Sequence, residues 1–483
     1  MTTHLSALAA LLLLSACAVG PDYRAPDARA LPARFLGESA ATPATPARDD
    51  WWHAFGDPAL DALIADALRD NPDLQAAAAR VRQARAESGV AASALAPTLQ
   101  ARAKVERDQL SRNSENFANM PLANPQTAFT DHLVGFDASW EIDLFGRNAR
   151  ALEAATARVD SALELQHDAT VLVAAETARL YFDYRTAQRR LDNLQQQAAA
   201  AEESLRLTRL TQQAGLASAA DSAAAASARD NARAAVTPQT AAVRVSLSSL
   251  AALCARDAAA LATTLGAPDT RQTLPASVPV GLPSELLQRR PDIRHAERER
   301  AAANADIGAA EAARYPSFSL TGSAGFDSIH SGTLTEQASR FWNLGPSLTL
   351  PIFNAGRLQA RADSSRAAYD AADASYRKTV LAALADTESA LIRFSQECTR
   401  RQHLAQAAAQ QAHNAELAQK RFAAGDASRL DVLAADIAWR TQLDSELASS
   451  GQCADNVVAL HKALGGGWGT TTGGGDLLTR KIP

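Results

Sequence analysis

Two stretches of 68 residues each, 147–214 and 357–424, contain neither glycine nor proline. As α-helix, each would run roughly 100 Å at ~1.5 Å per residue, far beyond the ~10 to 14 residues of an ordinary globular helix. Rods of that length survive only by packing along neighbours. Leu152, Ala155, Val159 and Leu163 recur at a spacing of three to four and supply an apolar stripe. Glu202, Glu203, Arg206 and Arg209 interleave as a solvated face. The helical pattern resumes after Gly215 and Gly425, so these glycines mark hairpin tips between antiparallel rods.

The two rods belong to two copies of one plan. A shift of about 219 positions lays Asn71-Pro72-Asp73 on Arg290-Pro291-Asp292, Gly89 on Gly308 and Pro97 on Pro316. A shift of about 210 lays Gly146-Arg147 on Gly356-Arg357, Ala214-Gly215 on Ala424-Gly425 and Asp221 on Asp431. The chain therefore reads as a tandem duplication. The first repeat covers 51–267, the linker 268–283 and the second repeat 284–468. The glycine-rich end, 469–483, reads as a flexible tail.

Strict alternation marks two strands in each repeat, at about 98–108 and 133–145, and at about 316–327 and 342–353. Leu99, Ala101, Ala103 and Val105 alternate with Gln100, Arg102, Lys104 and Glu106; Phe136, Ala138, Trp140 and Ile142 alternate with Asp137, Ser139 and Glu141. Such a length crosses a bilayer as a tilted strand, and the same pattern also suits a soluble sandwich with one wet face. Four strands cannot close around a lumen, and an open sheet edge is forbidden in lipid. On the membrane reading, several chains must share one barrel.

The amino terminus favours that reading. An apolar run from Leu5 ends in Leu14-Ser15-Ala16-Cys17, the pattern of a lipoprotein signal peptide over 1–16 that leaves Cys17 to carry a covalent lipid. Residues 17–50, rich in Pro, Ala and Thr, read as anchor and tether. No later window holds ~18 uninterrupted apolar residues, so no transmembrane helix is expected. The 48 Lys and Arg against 53 Asp and Glu leave a net charge of −5, which argues against a nucleic-acid binder. The nine His and the carboxylates form no H-E-x-x-H, and neither G-x-S-x-G nor a phosphate loop occurs, so no enzyme, cofactor or metal site is expected. Cys254 and Cys453 look equivalent when Leu265-Gly266 is laid on Leu464-Gly465. They would pair if their Cα atoms lie within about 7 Å, or stay buried thiols; Cys398 has no obvious partner.

Several local patterns then converge. Residues 19–26 read V-G-P-D-Y-R-A-P, 51–60 carry W-W-x-x-F-x-D-P-x-L, and 140–147 read W-E-I-D-L-F-G-R. Residues 289–294 read R-R-P-D-I-R, 351–357 P-I-F-N-A-G-R, and 463–468 A-L-G-G-G-W. With these motifs in order, the chain resembles the outer membrane factor family, the outer-membrane efflux lipoproteins of the TolC/OprM/NodT kind. The resemblance implies a homotrimer in which three chains give a 12-stranded β-barrel and a periplasmic α-helical tunnel. It implies a passive, lipid-anchored outer-membrane duct for drugs or other small solutes. A periplasmic adaptor and an inner-membrane transporter, proton-driven, would be its partners. The family's tip pattern points to Gly215, Arg421 and Gly425 as adaptor-docking residues, with Arg421-Phe422-Ala423-Ala424-Gly425 the better match. Its acidic constriction falls on Leu430, Asp431 and Asp436, with Ala434 where a second acid is common. A lipid-anchored coiled-coil scaffold and a polypeptide-export duct are the alternatives.

Overall fold

The structure, a computed structural model, describes residues 19–26, 31–37, 49–111, 113, 127–267, 274–275 and 277–469. Cys17, the signal peptide, residues 268–273 and 276 of the linker, and the tail from 470 lie outside the described residues. The first repeat runs α1 (Pro58–Asp70), α2 (Pro72–Ser93), β1 (Thr98–Gln109), β2 (Ala128–Ile142), α3 (Arg147–Gln213), α4 (Ala219–Leu253) and α5 (Ala258–Leu265). The second runs α6 (Leu286–Arg289), α7 (Pro291–Ala312), β3 (Ser317–Ser328), β4 (Arg340–Thr349), α8 (Arg357–Ala423) and α9 (Arg429–Ala463).

Both long rods form, and each is 67 residues. Their return helices are 35 residues each and open with the same capping box. Ser218 accepts from Asp221 N and Ser428 from Asp431 N, while each aspartate takes the cap residue's own N–H. The return helices also end alike. Cys254, Ala255 and Arg256 close the last turn as Leu464, Gly465 and Gly466 do 210 positions later, with Ala255 and Gly465 both at positive φ. Asn71 Nδ2 donates to Leu253 O, and Arg290 Nη1 to Ala463 O, so the duplication extends to how each return helix is capped.

This register corrects the cysteine equivalence. Cys254 matches Leu464, because α5 is an eight-residue addition at the end of the first repeat that shifts Leu265-Gly266 out of phase. The disulfide joins Cys398 to Cys453, with Cα atoms 5.3 Å apart, across α8 and α9. Cys254 remains a buried thiol whose pKa is pushed up to about 11, chiefly by burial.

Taken over the described residues, the chain divides into two compact units. The first gathers Met1–Ala25, Val81–Ser161 and Ala296–Tyr376, and holds the antiparallel sheet β1-β2-β3-β4. The strands differ from expectation at their ends. β2 starts at Ala128, because Gln109 pairs with Ala128 and the ladder continues through Thr130 and His132, polar residues that broke the alternation. It stops at Ile142, where Asp143 turns to accept Ala149 N and start α3. β3 begins after Pro316. β4 ends at Thr349, the partner of Ser317, two residues before Pro351, whose missing N–H suits an exit from the ladder.

The described part of the expected tether is docked. In the first unit Val19 N donates to Phe145 O, Tyr23 OH to Glu297 at 2.6 Å, and Asn304 Nδ2 to Pro21 O. Asp22 meets the buried Arg150 at 2.7 Å. Gly20, at φ +103°, lies too close to the Gly308 backbone to carry a side chain, and a Cβ on Gly308 would meet the Arg150 side chain and Val19 O.

The second unit comprises Pro26–Arg80, Ala162–His295 and Arg377–Pro483 and is helical. Here Phe35 is buried, and Leu36 N and Gly37 N both donate to Glu388. Trp51, buried, stacks on His461 with ring centroids 5.0 Å apart, and burial pulls that imidazole's pKa down to about 3. Gly465 leaves no room for a Cβ, which would stand 2.7 Å from Arg289 O. Trp468 donates to the same oxygen at 2.9 Å and lies between the His167 ring and the Arg294 guanidinium. The W-W-x-x-F, R-R-P-D and A-L-G-G-G-W motifs therefore meet in one packed knot.

Deeper in the same unit, Arg179 bonds Glu176 and Asp183, and Asp183 shares a hydrogen bond with Asp455. Burial, then the charge of Asp183, pushes the Asp455 carboxyl up to about 8. Below that pH the folded chain holds a proton that the unfolded chain releases above about 4. Stability therefore declines as pH rises from about 4 to about 8. Asp455→Asn should stabilise the protein by on the order of 1–2 kcal/mol at pH 8 and leave it unchanged at pH 4. Thermal unfolding followed by circular dichroism at both pH values checks this, and equal melting points at pH 8 would count against it.

Candidate functional site

The sheet sorts its side chains by face. Cross-strand pairing puts Leu99, Ala138 and Gly322 in one row with Leu344, and Ala101, Phe136, Ala324 and Trp342 in the next. Trp140, Leu320, Phe318 and Leu348 extend the same face. The opposite face carries Arg102, Lys104, Asp137, Ser139, Thr321, Ser323, Asn343 and Ser347. An apolar face normally packs against another layer. Here it is open: Leu99 is 70% exposed, Phe136 57%, Trp342 79% and Leu344 67%. Among the described residues no second sheet covers it, which removes the sandwich. β1 and β4 each also present an unpaired edge. Among those residues, no single helix is long and apolar enough to cross a membrane.

The residues expected at the hairpin tips sit in tight turns. Gly215 and Gly425 have φ of +78° and +86°, the conformation that ends a helix cheaply only for glycine. Leu216 N returns to Thr211 O and Asp426 N to Arg421 O, both at 2.8 Å. The exposed Arg421 guanidinium reaches Asp426 O at 3.3 Å, a contact that Thr211 cannot make.

Of the residues expected to narrow the duct, Asp431 serves its capping box through one carboxylate oxygen, Oδ2. The Ser428 N–H, then its hydroxyl, holds the carboxyl below the usual range, and Asp221 is lowered by the same pair of bonds. Asp436 pairs with Arg440 at 2.9 Å, and Leu430 is half-buried. The structure adds a polar seam between α3 and α9 that the sequence reading missed. Arg190 grips Asp444 with two bonds of 3.0 and 2.9 Å, Arg440 reaches Gln196 at 2.6 Å, and Asn193 donates to Arg440 O. Charges at helical spacing read as solvated, and nothing in one sequence distinguishes those that cross to a neighbour.

Residues 63–256 and 282–466 match the family described as outer membrane efflux protein. The antibiotic efflux pump outer membrane protein ArpC of Pseudomonas putida is 34% identical, with 98% of this chain and 97% of that protein covered. Among solved structures, the outer-membrane channel OprN superposes with a TM-score of 0.83 at 30% identity, over 94% of this chain and all of that one. The open-state MtrE outer membrane channel of Neisseria gonorrhoeae gives 0.78 at 27% identity, over 94% and 99%.

Proposed function

The chain belongs to the outer membrane efflux protein family and is an outer-membrane channel component of an efflux system; we propose that three copies close one 12-stranded barrel continued by a periplasmic helical tunnel. The exposed apolar face of a sheet with two open edges carries this reading. Lipid solvates such a face, and edge-to-edge pairing of β4 with the next copy's β1 removes the unsatisfied backbone groups. A coiled-coil scaffold has no use for either feature.

The finer assignments follow. Cys17 carries the lipid; two residues further on, Val19 N donates to Phe145 O, three residues past β2. The tips at Gly215, Arg421 and Gly425 receive a periplasmic adaptor, which links the duct to an inner-membrane pump. No catalytic step is needed: the family is one of channels rather than enzymes. Drugs and other small solutes are the cargo this reading favours over polypeptides, in line with the antibiotic efflux pump to which the relative ArpC belongs.

The test is conductance of the purified full-length protein in planar bilayers. Asp431→Ala should raise the closed-state leak several-fold if three Asp431 carboxylates line the constriction. Asp221→Ala removes the same kind of cap from the other hairpin. Equal leak from both variants would assign Asp431 to capping alone, and no pore at all from the parent protein would refute the duct.

A further inference from the structure

We propose that the first unit binds an anionic amphiphile, with a carboxylate or phosphate headgroup, where the sheet meets the helices. A cavity of about 260 Å³ lies there, bounded by the ends of β2, β3 and β4 and the starts of α3 and α8. One wall is apolar: Leu144, the buried Leu358, and Phe145 stacked on Tyr315 at 4.8 Å. The other is charged, and the accounting of its charges is uneven. Glu141 pairs with Arg147, and Asp143, which accepts Ala149 N at 2.7 Å, leaves one carboxylate against the two remaining arginines. Arg357 is the repeat counterpart of Arg147, but Pro351 stands where the first repeat has Glu141. Arg361 replaces Ala151 one turn further on. Among the described residues, neither the Arg357 nor the Arg361 guanidinium has an ion pair or hydrogen bond.

Divergence between the two repeats has thus put Pro351 and Phe353 where the first repeat has Glu141 and Asp143, and has shifted an arginine by one position, from the place of Arg150 to Arg361, at the rim of an apolar hollow. Two guanidiniums four residues apart on a helix face the same way and fork onto one planar or tetrahedral anion. The hollow falls just below the roughly 300–1,000 Å³ of small-molecule sites, so it takes the part of the amphiphile nearest the headgroup. Glu141, Ser317 and Thr349, all on the polar face of the sheet, contribute to the lining. The amphiphile comes either from solutes passing the duct or from the bilayer.

Calorimetric titration of the purified full-length protein with decanoate in a neutral maltoside tests the site, independently of any conductance. Decanoate should bind at least tenfold more weakly to Arg357→Gln/Arg361→Gln. It should weaken similarly for Pro351→Glu, which keeps both arginines and restores one of the two acids of the first repeat. Inorganic phosphate should bind more weakly than decanoate. Mass spectrometry of protein extracted from outer membranes separates the sources. A phospholipid retained by the parent and lost from both variants identifies the bilayer, whereas decanoate binding without retained lipid identifies a solute. Equal decanoate affinity across parent and variants, or phosphate binding as tightly as decanoate, overturns the proposal.

Discussion

Arginine in place of Ala324 should remove most of the protein from the outer membrane as folded oligomer, while arginine in place of Thr321 on the same strand should leave it there. Ala324 sits mid-strand in β3, exposed, between Phe136 on one neighbour and Trp342 on the other. On the lipid-facing reading, its side chain points into hydrocarbon. A guanidinium near the midplane of a barrel wall costs about 2–4 kcal/mol. In a threefold assembly the cost is incurred three times. Thr321 lies between Ser139 and Gly345 on the polar face, where a long cation meets water. Heat-modifiable oligomers on SDS gels of outer-membrane fractions read the outcome. Equal loss from both variants would mean that both faces are buried in protein, and the membrane reading would fail with it.

The same sheet shows how much the chain disclosed in advance. Period-two alternation placed all four strands, because an apolar residue at every second position has few other uses. It lost the first turns of β2, where Thr130 and His132 occupy apolar-face positions near the strand end. The rods were legible from the absence of glycine and proline alone. Glu203 and Arg206, expected on a solvated face, are exposed and pair with each other at 2.6 and 2.8 Å. Contacts between elements were not legible. Arg190 with Asp444, or Tyr23 with Glu297, join residues 254 and 274 positions apart, and no local pattern encodes such a meeting. The constriction is the instructive case. Asp431, which the resemblance assigned to the constriction, belongs by geometry to a Ser-x-x-Asp capping box that recurs at both tips, so it has a structural duty whatever else it does.

Breaking the Cys398–Cys453 bond should cost the second hairpin about 2–4 kcal/mol and leave the first untouched. The bond closes a loop of 55 positions that contains the whole tip, and the chain-entropy relation gives about 4 kcal/mol for such a loop. At the equivalent places in the first repeat stand Gln188 and Val243, which cannot be linked, so α3 and α4 serve as an internal control. Double replacement with alanine is the cleaner test, because Cys453 is 1% exposed and a serine hydroxyl there would add its own desolvation cost of about 1–3 kcal/mol. Reductant on the parent protein should reproduce the alanine variant. Both should expose Arg400, Arg401 and Arg440 of the second hairpin to trypsin before Arg206, Arg209 or Arg233 of the first. Thiol titration of the unreduced, denatured chain should find Cys254 as the one reactive thiol, the sulfur of Cys17 being blocked by its lipid. Three such thiols, with trypsin cutting both hairpins at the same rate, would mean that the hairpin is held by packing alone. In an oxidising periplasm, the bond leaves the two tips unequal: one fastened covalently about 25 residues from its turn, the other held by packing and by contacts such as Arg233 with Glu202 and Gln239 with Ala187 O.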